Sequence, residues 1–406
     1  MNKNWSKTTL GSLGKISMCK RILKEETSES GDIPFYKIST FGGIADAFIS
    51  KDIFEKYRET YSYPKIGDIL ISAAGTLGKT VIFDGKPSYF QDSNIVWVDN
   101  DEKTVINSFL YYFYQTNPWI KTTGSTINRL YNNDIKNLEI SFPDLIKQQS
   151  IAAVLSALDK KITLNKQINA RLEEMAKTLY DYWFVQFDFP DANGKPYKSS
   201  GGDMVFDETL KREIPKGWEV KSLKDVLLNC SDNIKSEDLT SNMPYTPIDS
   251  LPMRKMTFSD FQKIENARTS LICYSFNDIL IGAMRVYFHR VCIAPFDGIT
   301  RSTTIVLKPK KQNHLPFLYQ LCNEEKTINF ASKVSIGTQQ PYVNWVNGLA
   351  EYKFAMPNLE LIERYSIKIM PLIKSVITRE KQNHHLTQLR DFLLPMLMNG
   401  QVSVAE

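Results

Sequence analysis

Three stretches of the sequence imitate sites of chemistry. Ala73-Ala74-Gly75-Thr76-Leu77-Gly78-Lys79-Thr80 fits a relaxed phosphate-binding loop, with alanine in the first glycine position. That motif needs a helix after the lysine, because backbone N–H groups of the helix N-terminus complete the phosphate cradle. Here the chain runs on instead into Val81-Ile82-Phe83-Asp84-Gly85, β-prone and closed by a turn. Pro190-Asp191 with Glu219-Val220-Lys221 imitates a nuclease carboxylate–lysine set. Such carboxylates must lie on paired strands of one core to hold a metal, and here one part lies in a Pro/Gly-rich stretch. Asn117-Pro118-Trp119 begins like the turn by which amino-methyltransferases grip a flipped adenine, but the second proline and the aromatic in register are missing. No Gly-x-Gly-x-x-Gly occurs, and no Ser/His/Asp or Cys/His arrangement is legible. The chain is expected to be non-catalytic, with no catalytic residue and no metal or cofactor of its own.

A different pattern lies behind these motifs. The chain repeats itself once, at a period near half its length. Trp5–Leu10 matches Trp218–Leu223, an offset of 213, and Ile33–Ile38 matches Met243–Ile248, an offset of 210. Gly67-Asp68-Ile69-Leu70-Ile71-Ser72-Ala73 returns as Asn277-Asp278-Ile279-Leu280-Ile281-Gly282-Ala283. Phe83-Asp84-Gly85, Phe109-Leu110-Tyr111 and Phe142-Pro143-Asp144-Leu145 recur as Phe296-Asp297-Gly298, Phe317-Leu318-Tyr319 and Met356-Pro357-Asn358-Leu359. Matches that stay in order at a nearly constant offset mark two homologous halves.

The informative residues are those that differ while the frame holds. One half writes Ser72, Gly75, Thr76 and Lys79 after the shared strand; the other writes Arg285, Tyr287, His289 and Arg290. Further on, Ser125, Thr126, Asn128 and Arg129 face Thr338, Gln339 and Gln340, while Arg301 precedes the next strand and Lys37 sits in an earlier landmark. Arg and Lys match guanine edges, Asn and Gln match adenine, and small residues let the backbone approach. Hydroxyls and amides also hold phosphates. Each of these residues is a candidate DNA contact, and each cation is either a base reader or a phosphate clamp. One frame with two polar inserts suggests two readers of two sequences.

Each half opens with short β-prone runs (68–72, 79–83, 95–98) punctuated by Gly, Asn and Asp, mixed with short helical patterns such as 108–115, which gives an α+β class. Each half closes with a helical pattern. Residues 145 to about 184 contain no Gly and no Pro, enough for a helix of roughly 60 Å at 1.5 Å per residue. With Ile151 at heptad position a, that position also takes Leu158, Asn165, Leu172 and Leu179; position d takes Val154, Lys161, Ile168, Met175 and Tyr182. Asn165 and Lys161 on this stripe are either solvated or set register. The second pattern, from Leu359 to about Met398, carries Leu372, Leu386, Leu389 and Leu393, with Pro371 and Pro395 expected to kink or delay it. Two such helices most simply pack against each other, as a bar between two globular units in a pseudo-twofold arrangement. Residues 188–215, rich in Pro, Gly, Asn and Ser, read as a linker.

Composition sets the outer bounds. The chain has 406 residues, 42% hydrophobic and 12% aromatic, which excludes intrinsic disorder. Its apolar runs are too short to span a bilayer, so no membrane partner is expected. Five dispersed cysteines argue against a disulfide framework and for a reducing, cytoplasmic setting. With 50 basic and 45 acidic residues, a fully basic nucleic-acid coat is excluded, while a local basic groove is not.

The sequence resembles the DNA-specificity (S) subunits of type I restriction–modification systems over essentially its whole length. The central segment carries the strongest likeness: Tyr182–Pro190, Asn193–Gly202 and Glu213-Ile214-Pro215-Lys216-Gly217-Trp218. Gly67–Ser72 and Phe142-Pro143 match landmarks within and at the end of a recognition domain. Trp5 lacks the Pro-x-Gly that precedes it in the family. The resemblance implies target recognition domains at 1–143 and 215–357, each reading half of a bipartite site in double-stranded DNA. It implies spacer helices at 144–187 and 358–400, in an antiparallel coiled-coil-like pair, a linker at 188–214, and docking of two methyltransferase (M) subunits. Candidate docking residues on the stripes are Leu158, Ile168, Leu172, Met175, Leu179, Leu372, Leu386, Leu389 and Leu393. S-adenosylmethionine, adenine N6 methylation, ATP and Mg would belong to the M and restriction (R) subunits. A DNA-modifying enzyme in its own right and a structural scaffold are the alternatives.

Overall fold

The computed structural model describes residues 5–119, 129–231, 233–234, 242–266 and 271–404. The chain forms two compact units, residues 1–160 with 387–406, and residues 161–386.

Both units use one α+β plan. In the first, the strand Ser6–Thr9 pairs antiparallel with Glu139–Phe142, joining the start and end of the domain. In the second, Glu219–Ser222 pairs in the same way with Lys353–Met356. The central sheet of the first unit has the order Gly14–Ser17, Ile95–Asn100, Ile69–Ser72, Thr80–Ile82. That of the second has the order Leu227–Cys230, Thr304–Pro309, Ile279–Gly282, Val291–Ile293. Even the minor parallel contact recurs, between Phe35 and Tyr89 in one unit and between Tyr245 and Ile299 in the other.

The shared sequence landmarks are the parts that build this frame. Ile69, Leu70 and Ile71 are almost fully buried, as are Ile279, Leu280 and Ile281. Burying such a side chain contributes roughly 1.5–3 kcal/mol. Asp68 and Asp278 precede them, and each carboxylate accepts a backbone N–H, from Lys65 at 2.8 Å and Ser275 at 2.7 Å. Burial raises the pKa of both carboxyls. The position before each Asp is left-handed, Gly67 at φ +92° and Asn277 at φ +71°. Glycine and asparagine are the residues that tolerate this conformation, which explains why the repeat substitutes one for the other.

Each domain hands over to a long helix through a proline and an N-cap. Asp144 Oδ1 accepts from Lys147 N at 3.0 Å, and Asn358 Oδ1 accepts from Leu361 N at 2.9 Å. The helices span Leu145–Tyr180 and Leu359–Met398, the first continuing into a π-helical turn at Asp181–Val185. The helix Leu359–Met398 is continuous through Pro371 and Pro395, so neither proline delays its start. The carbonyl that Pro371 leaves unbonded belongs to Ile367, and both residues are exposed, so water can take it.

Within each unit the helices run antiparallel. Arg390 reaches Asp159 at 2.9 Å in the first unit. Asn165 meets Asn383 at 3.0 Å and Tyr365 meets the Ala176 carbonyl at 3.0 Å in the second. The end of the C-terminal helix therefore serves the first unit: Leu397 and Met398 are buried with Leu10, Phe109, Ile140 and Ile151.

The stretch expected as a linker is folded. Met204–Asp207 and Arg212–Pro215 form an antiparallel hairpin, and Phe187, Phe189, Ile214 and Trp218 are buried in the core of the second unit. Its glycines and asparagines are turn residues of a packed hairpin, and composition alone reads these as a spacer.

Candidate nucleic-acid interface

In the first unit a turn leaves the strand Ile69–Ser72 and returns through Thr80–Ile82. Ser72 N donates to the Lys79 carbonyl at 2.9 Å, and Gly78 N donates to the Ser72 carbonyl at 2.9 Å. The Ser72 hydroxyl donates to the Thr76 carbonyl and accepts from Lys79 N. Ser72 is 1% exposed, so it locks the turn and has no hydroxyl left for a base. Gly75 and Thr76 are exposed at the tip. Lys79 donates through Nζ to the Phe41 carbonyl.

Two other segments meet this turn. Ala73 N donates to the Asn94 carbonyl at 2.7 Å, and Leu130 N donates to the Ala73 carbonyl at 2.8 Å. Arg129 pairs with Ala74 in a β-bridge and donates through Nη2 to the Ser93 carbonyl at 2.9 Å. Lys37 forms an ion pair with Asp46 at 2.8 Å. Ser125, Thr126 and Asn128 lie outside the described residues.

The second unit repeats the three backbone bonds that join these segments. Gly282 N donates to the Arg290 carbonyl at 2.9 Å, Ala283 N to the Thr303 carbonyl at 2.9 Å, and Val343 N to the Ala283 carbonyl at 3.0 Å. Met284 bridges Tyr342 where Ala74 bridges Arg129. The side chains diverge. Arg285 is left-handed at φ +50° and donates through Nη2 to the Gln339 carbonyl at 3.3 Å. Thr338, Gln339 and Gln340 are exposed. Tyr287 is 51% exposed at the tip, and Phe288, passed over in the sequence, is 38% exposed beside it. Arg301 is half-buried, and its Nε has no hydrogen-bond partner among the described residues.

Two of the sequence candidates here turn inward. Arg290 donates through Nη1 to the carbonyls of Ile248 at 3.1 Å, Asp249 at 3.3 Å and Leu251. Its side chain is 16% exposed, so it holds a neighbouring turn instead of reaching outward. His289 is buried, with Nε2 2.8 Å from Asn323 Oδ1.

Buried Cys19 and Cys322 have thiols pushed up to about 12 by burial, which removes their nucleophilic form at neutral pH. Among the described residues no group of His, Cys, Asp and Glu is placed to hold a metal ion. None of the described helices is long and apolar enough to cross a membrane.

Residues 2–174 match the type I restriction modification DNA specificity domain. A putative type I restriction enzyme specificity subunit of Haemophilus influenzae is 54% identical over 43% of this chain and 45% of its own length. The type I restriction enzyme MjaIX specificity subunit of Methanocaldococcus jannaschii is 27% identical over 100% of this chain and 95% of its own. Residues 2–174 thus match this specificity domain, and the whole chain is similar to the MjaIX specificity subunit. The crystal structure of the type I restriction–modification system S subunit from M. genitalium has the same fold, with a TM-score of 0.62 at 19% identity, over 98% of this chain and 96% of that one. The family match covers the first repeat and most of the helix that follows it.

The long helices keep one expected seam position and replace the other. Leu155, Ile162, Asn169, Ala176 and Trp183 are buried, each one residue beyond the expected d position. Asn165 is 1% exposed at the expected a position, where Leu158, Leu172 and Leu179 are half-buried. Lys161 is exposed, Met175 is 57% exposed and Ile168 is half-buried. Leu372, Leu386 and Leu393 are half-buried, and Leu389 is 45% exposed. In the second unit Met175, Leu179, Tyr182, Ile369 and Leu372 line an open apolar groove.

Proposed function

We propose that each domain reads one part of a bipartite double-stranded DNA site, and that the chain supplies specificity without catalysis. One observation carries this reading: three segments meet in the same hydrogen-bonded frame in both domains, and they present different exposed side chains. Gly75 and Thr76 are exposed at the tip in one; Tyr287, Thr338, Gln339 and Gln340 are exposed in the other, with Arg285 half-buried among them. Arg and Gln have the donor geometry for guanine and adenine edges. Ser125, Thr126, Asn128, Arg129, Lys79, Lys37 and Arg301 remain candidate base or phosphate contacts.

In this reading two methyltransferase (M) subunits dock on the helices, at apolar surface such as the groove around Met175 and Tyr182. S-adenosylmethionine, ATP and Mg act in the M and restriction (R) subunits, in the cytoplasm, and methylation falls on adenine N6. This chain then contributes recognition and spacing alone.

The test exchanges residues 1–143 for the first domain of another specificity subunit and maps methylated sites in the host. One half-site is expected to change while the other half and the spacer stay fixed. Loss of each bidentate base contact costs about 1–3 kcal/mol of discrimination, so the old half-site is expected to disappear entirely. Joint movement of both halves would refute the two-reader reading.

A further inference from the structure

The turn Arg285–Arg290 carries a feature that the fold itself does not use. Tyr287 and Phe288 present their rings outward, 51% and 38% exposed, in a T-shaped pair with centroids 5.0 Å apart. Val286 beside them is 2% exposed and anchors the turn. Arg285 and His289 flank the turn, and both are left-handed, at φ +50° and φ +57°. Non-glycine residues hold this conformation only where the surroundings enforce it.

Here the enforcement is visible on both sides. Phe288 N donates to the Arg285 carbonyl at 2.9 Å, and His289 N to the Val286 carbonyl at 2.9 Å. Arg285 N donates to the Pro341 carbonyl at 2.7 Å, and Arg254 N donates to the His289 carbonyl at 2.9 Å. Two aromatic rings are thus held into solvent by a backbone fixed at both ends. Arg285, at the start of this turn, donates through Nη2 to the carbonyl of the exposed Gln339 at 3.3 Å. The corresponding turn of the first domain, Ala74-Gly75-Thr76-Leu77-Gly78, contains no aromatic residue.

We propose that Tyr287 and Phe288 form a wedge that stacks on bases of the half-site read by the second domain and opens one base step there. The first domain, without rings at this place, leaves its half-site stacked. The inference rests on the second domain being a DNA reader. Rings beside a cation and amides match a duplex, whose base faces offer stacking and whose edges and phosphates offer acceptors.

The experiment uses the full chain in its complex with the methyltransferase subunits. Its DNA, chosen from mapped methylation sites, carries 2-aminopurine at successive positions of both half-sites. Wild type is expected to raise the fluorescence several-fold at one step of the second half-site. Tyr287→Ala and Phe288→Ala, made singly and together, are expected to abolish that rise and weaken cognate binding about tenfold. The salt dependence should stay unchanged, because no phosphate contact is lost. Positions that respond equally in all variants belong to bases extruded by the catalytic subunits. Thermal unfolding of the variants checks that the exposed substitutions leave the fold intact, and Tyr287→Leu, which keeps apolar bulk, is expected to retain part of the binding. Sequence-specific binding with no responsive step, or a step that survives both substitutions, overturns the wedge. Loss of co-purification with the methyltransferase subunits overturns it in favour of a protein contact. Absence of any sequence preference in the wild-type complex overturns the underlying DNA-reading assignment as well.

Discussion

In the first domain the turn after the central strand is made by glycine, with Gly75 at φ +66° and Gly78 at φ +74°. In the second the same strand end leads to Arg285 at φ +50° and His289 at φ +57°. The backbone requirement is shared, a left-handed residue on each side of the tip, and the residues meeting it are not. Glycine satisfies it without strain and puts nothing in the groove of a ligand. Arginine and histidine satisfy it only with support from Pro341, Asn323 and Arg254, and the turn between them carries the exposed rings of Tyr287 and Phe288. A recognition surface is thus varied by changing which residue carries an awkward backbone angle, while the sheet behind it stays the same.

The largest effect expected from breaking this comparison is at Gly78. A Cβ built there would lie 1.9 Å from Trp119 Nε1 and 2.4 Å from its Cε2, at a positive φ. Trp119 is buried and packs on Tyr114 at a centroid distance of 5.2 Å, so neither side can yield cheaply. Gly78→Ala is expected to destabilise the first unit by about 3 kcal/mol or more. In a methylation map it should erase discrimination at one half-site only. A chain that melts like wild type and keeps both half-sites would show that the glycine is dispensable.

A middle-sized effect is expected at Arg290. Its guanidinium satisfies the carbonyls of Ile248, Asp249 and Leu251. Arg290→Gln should cost about 1–3 kcal/mol in unfolding, since part-buried acceptors lose a charged donor. The salt slope of DNA binding should be unaffected. A slope reduced by about one would instead make Arg290 a phosphate clamp. Lys79, at the equivalent end of the first turn, gives the matching measurement in the other domain.

Much of this architecture is legible in the sequence, and the parts that are not share a cause. The repeat, the strand Ile69–Ser72 and both long helices follow from the matched segments and from apolar patterning free of Gly over 145–184. One of the two seam positions is misplaced by one residue because its contacts include Asn169 and Ala176, which carry no hydropathy signal, while Met175 is apolar and faces outward. Arg290 and Ser72 look like ligand-binding residues because polar side chains that close turns have the same composition as those that bind. Only the three-dimensional partners, carbonyls in both cases, separate the two uses. Phe288 carries the opposite lesson: an aromatic residue next to a candidate contact reads as core until its exposure is known.

The helix pair extends the comparison, because each unit ties its helices with a different polar device. In the first, Asp159 accepts from Arg390 at 2.9 Å and from the Tyr112 hydroxyl at 2.8 Å, with the ion pair about one-third exposed. In the second, Asn165 Nδ2 donates to Asn383 Oδ1 at 3.0 Å, with both residues buried. Asn165 Oδ1 and Asn383 Nδ2 have no hydrogen-bond partner among the described residues, so this contact is only half satisfied. A partly exposed ion pair contributes about 0–1 kcal/mol, whereas an unmatched buried amide costs about 1–3 kcal/mol. Asn383→Leu alone is therefore expected to destabilise, because it strands the Asn165 amide. Asn165→Leu with Asn383→Leu should recover wild-type stability or exceed it by up to about 1 kcal/mol, as polar seam residues trade stability for a fixed register. Double-mutant cycles by chemical unfolding measure both contacts, and the coupling should be larger for the amides than for Asp159→Leu with Arg390→Leu. Equal couplings would mean that burial does not distinguish the two devices, and the amide pair would then have no special claim to setting the register of the second unit.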